Sequence, residues 1–441
     1  MSDNTVVSDK SDGVERSALT GVRILDLTRY QQGPFATVLL SDMGAEVIKI
    51  EQPGGEPGRA TGLGTDGFSA YFEAHNRGKK SMTLDLRTDD AREVIRRLLP
   101  SCDVVVENFR PGTMEKWGLG YEDLKKIVPN IILASGSSWG RNGPRGDLPG
   151  YDHVGQAFSG VMVEQGGGPN ETPHALIGGF ADQIGAMLLA FGVSSALVAK
   201  HTFGVGQHVD VSLIGAMTAL QSMQITRYLR TGKQVGFEER RAATYTHYLC
   251  ADGKYVAIAA NTQRFWTRLC TAIERIDLAV DDRFADPFGR ADNKDDLVTE
   301  LSQSFISKSS DYWVRALTDA DVPNSVVMGY KELATDEQMW ANGYLQEISS
   351  SNLGRMTVPG PPIRMSETPC QIQGSGPDLH RCPRFEQRMG QGPGRGQRQE
   401  HQLSGRQGCG WCEHQGVQPL LLADLRRHRS QGSRPDSSLD S

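Results

Sequence analysis

The chain has 441 residues, with 47 Lys and Arg against 53 Asp and Glu and a net charge of −6. That length predicts one large or two moderate domains with a real core, and the acidic balance gives no general attraction to nucleic acid or anionic lipid. With 38% hydrophobic residues, 50 Gly and a mean hydropathy of −0.41, it reads as a water-soluble chain with loose glycine-rich segments. The longest apolar stretch, residues 184–199, is interrupted by glycine and serine, is too short to span a bilayer, and is expected to be a buried helix.

The first 18 residues are polar, with neither the apolar core of a secretory signal nor the acid-free composition of a transit peptide, so disorder and a cytoplasmic location are expected. The seven cysteines are an odd, unevenly spread set and do not read as a disulfide framework.

From residue 19 strands and helices alternate. Strands are predicted over 21–27, 45–51, 103–109, 131–136 and 207–213; helices over 33–40, 88–99, 121–127, 182–200 and 214–230. This is the rhythm of a parallel α/β sheet. Ligands of such sheets sit beyond the carboxyl ends of the strands, so Gln31, Gln32, Asn108, Phe109 and the 135–140 turn are expected to share one rim. Near Tyr245 two alternating strands joined through Asp252-Gly253 predict a hairpin, followed by helices over 263–273 and 292–307. We read 19–234 as a large domain, 235–330 as a smaller α+β domain, and 331–370 as a loop-rich return with 358–362 extended. Residues 371–441, rich in Arg and Gln and lacking Lys, form an atypical tail.

The glycine-rich runs at 52–59 and 164–170 lack dinucleotide-binding spacing, and no Walker or zincin motif occurs. Cys409 and Cys412 lack the context of a redox or zinc site, and no metal is expected. Asp182 stands at the junction of a turn-rich loop and an apolar helix. It is either an N-cap or a carboxylate kept ionised by free backbone N–H groups and able to attack an acyl carbon. Position alone leaves both open.

Five ordered segments carry a resemblance: LTGVRILDLTRYQQGPFATVLLSDMGAEVIKIEQPGGEPGR, HNRGKKSMTLDLR, DVVVENFRPGTMEKWGLGYEDL, ILASGSSWGRNGPRGDLPGYDHVGQAFSG and GGFADQIGAMLLAFGVSSAL. Together they resemble the family III CoA-transferases of the CaiB/BaiF type, over about 19–370; that superfamily includes α-methylacyl-CoA racemase. The resemblance implies a Rossmann-like parallel-sheet large domain with a smaller α+β domain, and two ring-like subunits interlocked as a homodimer. It implies CoA and acyl-CoA as substrates rather than a permanently bound cofactor, a carboxylic acid as acceptor, and Asp182 as nucleophile. Covalent aspartyl anhydride and aspartyl-CoA thioester intermediates follow from that role. Positions matching CoA contacts are Gln31, Gln32, Gln52, Leu84, Arg87, Asn108, Phe109, Arg110 and Lys116. The Gln31 amide is also expected to stabilise the oxyanion of each attack; Arg59 and Arg141 read equally as partners for an acceptor carboxylate or as surface charges.

The racemase branch carries a histidine where this chain has Tyr151, and a carboxylate where Asn261 and Thr262 stand, so transfer is favoured. His153 is offset by two residues and is expected to point elsewhere. The glycine run of the formyl-CoA branch does not occur between Arg241 and Ala260, which argues against formyl and oxalate specificity. The family's closing motif is replaced by a tail that reads like a translation in the wrong frame; with it, an inactive CoA-binding relative is the non-enzyme alternative.

Overall fold

The computed structural model describes residues 16–234, 236 and 242–379. The Cys409–Cys412 pair and the expected atypical tail beyond residue 379 lie outside the described residues.

Six short strands form the main sheet: β1 (Arg23–Asp26), β2 (Glu46–Glu51), β3 (Lys80–Thr83), β4 (Val104–Glu107), β5 (Ile132–Ser137) and β6 (His208–Ser212). All pairings are parallel, in the order β3-β2-β1-β4-β5-β6. A sheet covered on both faces calls for strands apolar on both sides, and Ile24, Leu25, Val104, Val105, Val106, Ile132 and Leu133 are all essentially inaccessible. On one face Ile24, Val47, Val104 and Ile132 pack against the Gln32–Asp42 helix and the long Phe180–Phe203 helix through Ala36, Leu40, Leu189 and Val193. Truncating fully buried Leu189 to alanine would cost about 2–5 kcal/mol. On the other face Leu25, Ile48, Val105 and Leu133 meet Ile95 of the Asp89–Leu98 helix, Leu99 and Leu124.

The strand β3 was not among those expected. Its polar sequence Lys-Ser-Met-Thr gives no apolar signal, yet it forms the sheet edge, where Lys80 pairs with Glu46 on β2. The helix expected over 214–230 is two, Leu213–Leu220 and Ser222–Thr231, interrupted where the Gln221 amide turns back to the Met217 carbonyl.

A second core lies between Ala243 and Val322. The strands β7 (Tyr245–Leu249) and β8 (Tyr255–Ala259) form the expected hairpin, with Gly253 at φ 77 in its turn, and β9 (Asn324–Val326) adds antiparallel to β8. Their inner face packs on Trp266, Leu269, Phe284, Leu301, Phe305 and Trp313. The loop-rich return instead contains an antiparallel pair, β10 (Leu345–Ser350) and β11 (Gly354–Pro359). Only Val358 of the pair is buried, which left little apolar signal to read. Beyond Cys370 the chain still docks on the main domain: Gln371 N–H donates to the Asp42 carbonyl, and Gly376 N–H to Glu73 at 2.7 Å. The packed chain therefore runs past the expected break, because backbone hydrogen bonds hold it without an apolar pattern.

Candidate active site

In the main sheet the chain direction of strand addition reverses between β1 and β4, and that switch point opens a crevice at the carboxyl ends. Two adjoining clefts lie there. The first, about 160 Å³, is lined by Arg29, Tyr30, Gln31 and Gln32 after β1, Asn108–Pro111 after β4, Gly136–Ser138 at the end of β5, Tyr151, and Asp182. The second, about 350 Å³, is lined by Gln52, Leu84, Arg87, Trp117 and again Arg29, Phe109 and Arg110. Phe109, Arg29 and Arg110 form their common wall; the Arg29 guanidinium sits 5.1 Å from the centre of the Phe109 ring, which meets Trp117 edge-on.

Of the residues picked from sequence, Asp182, Gln31, Gln32, Asn108, Phe109 and Arg110 gather in the first cleft. Gln52, Leu84 and Arg87 join Phe109 and Arg110 in the second. Lys116 lines neither; it is exposed at the end of the short Thr113–Lys116 helix. Arg87 is exposed and paired with Asp85 on its own turn. Gln32 is 4% exposed, wedged between Gly136 and Gly185, so its amide is mostly packing. Asn108 is a clamp: its side chain accepts from Arg29 N–H at 2.8 Å and donates to the Arg29 carbonyl at 2.7 Å, tying the β4 end to the β1 turn. Arg59 and Arg141 are committed elsewhere, Arg59 bidentate to buried Glu51 at 2.7 Å and Arg141 to Glu115. Neither lines either cleft.

Asp182 is not the N-cap. The long helix begins at Phe180 with Gly179 as cap, at φ 82. That backbone favours glycine, and a Cβ there would meet the Gln31 amide nitrogen at 2.0 Å. Gln31 donates from that nitrogen to the Gly179 carbonyl at 3.2 Å, leaving its second N–H for another acceptor.

The helix N-terminus is satisfied by Asp152, which sequence reading passed over. Its carboxylate accepts from Gly179 N–H at 3.0 Å, Ala181 N–H at 2.6 Å and Asp182 N–H at 3.1 Å. No local pattern signals a cap arriving from 30 residues upstream. The expectation that free N–H groups keep Asp182 ionised therefore fails: Asp152 takes those donors. Burial, and then the charge of Asp152, push the Asp182 carboxyl up to about 7. No donor among the described residues reaches the Asp182 carboxylate itself.

Around Asp182 stand aromatic groups. Tyr151 meets Tyr30 edge-on at 5.6 Å. Burial, and then the charge of Asp182, raise the Tyr71 phenol above its usual range. Tyr30 is one of three non-glycine residues with positive φ among those described, at φ 67, a conformation costing ~1–2 kcal/mol. At the racemase positions, Tyr151 lines the cleft, while Asn261 accepts from Thr244 and Thr262 caps the Gln263–Ala272 helix. His153 is exposed and does not line the cleft. Among the described residues no cluster of three or more His, Cys, Asp or Glu has metal-binding geometry.

The sequence profile of CoA-transferase family III matches residues 19–381. The chain is 33% identical over 366 residues to the succinyl-CoA–D-citramalate CoA-transferase of Chloroflexus aurantiacus, covering 82% of this chain and 91% of that one. It is 34% identical over 352 residues to the acetyl-CoA:oxalate CoA-transferase of Acetobacter aceti, covering 78% and 88%. The crystal structure of Rv3272 from M. tuberculosis superposes with a TM-score of 0.75 at 34% identity, covering 83% of this chain and 98% of that one. A switch-point crevice, five matching sequence segments and these likenesses converge: the chain belongs to CoA-transferase family III and is a CoA-transferase.

Proposed function

We propose that this enzyme moves CoA between two carboxylic acids by covalent catalysis at Asp182. The observation carrying this reading is a carboxylate without a hydrogen-bond partner among the described residues, half-buried in a cleft that opens onto a second, cation-bearing cleft. The second cleft suits the nucleotide of CoA: Arg110 and Arg29 for phosphate, Leu84 and Phe109 for the adenine face, with Gln52 and Arg87 at its rim. The thioester arm then passes the Phe109 wall toward Asp182.

In the first step the Asp182 carboxylate oxygen attacks the thioester carbonyl carbon; the C–S bond breaks, leaving an aspartyl–acyl anhydride and CoA thiolate. The thiolate attacks the aspartyl carbonyl, releasing the donor acid and forming an aspartyl-CoA thioester. The acceptor carboxylate attacks that thioester, expelling thiolate and forming a second anhydride. The thiolate finally attacks the acceptor's acyl carbon, giving the new acyl-CoA and regenerating Asp182. Each attack makes an oxyanion, for which the free N–H of Gln31 is a donor. The names of the relatives, one a succinyl-CoA and citramalate enzyme and one an acetyl-CoA and oxalate enzyme, support short dicarboxylates as the substrate class.

The same reading includes a homodimer. The long helix leaves Met187, Phe191 and Val198 exposed, Phe191 at 71%, in a row that a second subunit can cover. By length and composition this helix is also able to cross a bilayer, but its other face is in the sheet core.

The test is CoA transfer from succinyl-CoA to a panel of dicarboxylates and monocarboxylates, with Asp182→Ala alongside and light scattering of the purified protein. Transfer that D182A abolishes supports the reading. CoA binding without transfer would mean an inactive relative, and proton exchange at the α-carbon without transfer would mean a racemase.

A further inference from the structure

Resting on the reading of the Asp182 cleft as the site of transfer, we propose that Glu56 is a positioning residue. Its buried carboxylate holds Tyr30 in the left-handed conformation and so sets where the Gln31 amide and the Tyr30 ring stand in the cleft.

Residues 28–31 are held from beneath by buried polar groups. Asp26, kept ionised by Lys79 and Lys49 despite its burial, accepts from the Thr28 N–H at 2.8 Å. Lys49 donates to the Thr28 carbonyl at 3.0 Å, and Asn108 brackets the Arg29 peptide groups. Tyr30 is the strained member, and its N–H donates to Glu56 Oε2 at 3.0 Å. Glu56 is 2% exposed and lines the second cleft, but it comes from the loop after β2, not from the turn it holds. Its other oxygen accepts from Asn76 Nδ2 at 3.2 Å, and Lys49 Nζ stands 4.0 Å away. The space is shaped for that carboxylate: a Cβ on Gly58 would come within 2.6 Å of Glu56 Oε1.

The orientation of Asn76 is fixed because its own oxygen accepts from Lys79 Nζ at 3.0 Å. In the variant E56Q a neutral amide therefore meets a donor on both sides, Tyr30 N–H and Asn76 NH₂, and can accept from only one of them. Adding N76D restores the match: the new carboxylate keeps accepting from Lys79 and also accepts from the amide at position 56. The double variant E56Q/N76D preserves donors, acceptors and charge.

The experiment compares wild type, E56Q, E56Q/N76D and E56D by kcat, KM and acyl-CoA Kd, with a thermal melt of each. Losing the Glu56 contact moves the Gln31 amide and the Tyr30 ring, while Arg29 stays bracketed by Asn108 and the other walls of the nucleotide cleft keep their places. E56Q is therefore expected to lose about 10-fold or more in kcat, with KM and Kd for acyl-CoA within about 2-fold. E56Q/N76D recovers to within about 3-fold of wild-type kcat. E56D, one methylene short of the Tyr30 N–H, shows the same kcat loss and carries the test if E56Q does not fold. Wild-type kcat in folded E56Q or E56D overturns the proposal. So does a double variant whose melt is restored but whose kcat is not, or a loss falling on Kd instead of kcat. If wild type itself transfers no CoA, the reading of the site has failed, a result distinct from all of these.

Discussion

Asp182 links stability to pH in a direction opposite to most surface carboxylates. Its carboxyl is raised from 3.8 to about 7 by burial and by Asp152, so the folded chain holds a proton that the unfolded chain has released. Between those values unfolding releases a proton, and stability falls as pH rises, until above about 7 the whole cost of the buried charge is expressed. A shift of this size corresponds to ~4 kcal/mol, which solvent screening of a half-buried group reduces to ~1–2 kcal/mol. Asp182→Asn removes the ionisation and leaves Asp152 in place on the helix end. Its stability advantage over wild type is therefore expected to grow by ~1 kcal/mol between pH 5 and pH 8. Denaturant unfolding of both proteins at the two pH values measures this directly, the inactive variant being the more stable at pH 8. A gap that is constant, or that shrinks as pH rises, would refute the electrostatic reading of the site.

The same titration governs turnover: kcat/KM is expected to rise with pH through about 7 as Asp182 ionises, and Asp152→Asn should move that limb down by ~1 pH unit, read from pH–rate profiles. Gly179→Ala forces a side chain into left-handed backbone and against the Gln31 amide; a loss of ~1–2 kcal/mol in stability and a fall in kcat are expected from melts and steady-state kinetics. Arg110→Ala should weaken acyl-CoA binding about 10-fold by calorimetry, with the loss shrinking at high salt. Arg77→Met leaves Asp42 buried without its partner and should cost about 3–5 kcal/mol of stability.

The α/β rhythm was legible because buried strands such as Val104–Glu107 and Ile132–Ser137 open on runs of apolar letters and are bounded by turns. The edge strand Lys80–Thr83 and the hairpin Leu345–Pro359 were not, since exposed edges carry no such signal. At the site, the placement of Gln31, Gln32, Asn108 and Phe109 on one rim followed from chain order and the rule for parallel sheets, while Asp182 and Arg110 entered through the family resemblance. The environment of those groups did not follow. Asp152 capping the Phe180–Phe203 helix, Asn108 bracketing Arg29, and Glu56 beneath Tyr30 all join residues distant in sequence. The same blindness left open a role in the cleft for Arg59 and Arg141, whose carboxylate partners Glu51 and Glu115 only the fold reveals. Arg29 was overlooked for the converse reason: a lone arginine in a turn carries no signal until the fold sets it in the wall between two clefts.

The covalent role of Asp182 is tested most directly by trapping. The protein is incubated with succinyl-CoA and a small panel of other acyl-CoA esters, quenched with hydroxylamine, and its peptides are read by mass spectrometry. A hydroxamate on Asp182 that depends on the donor and is absent in Asp182→Ala is the predicted result. Soluble protein that transfers CoA yet carries no label at Asp182 would contradict the mechanism.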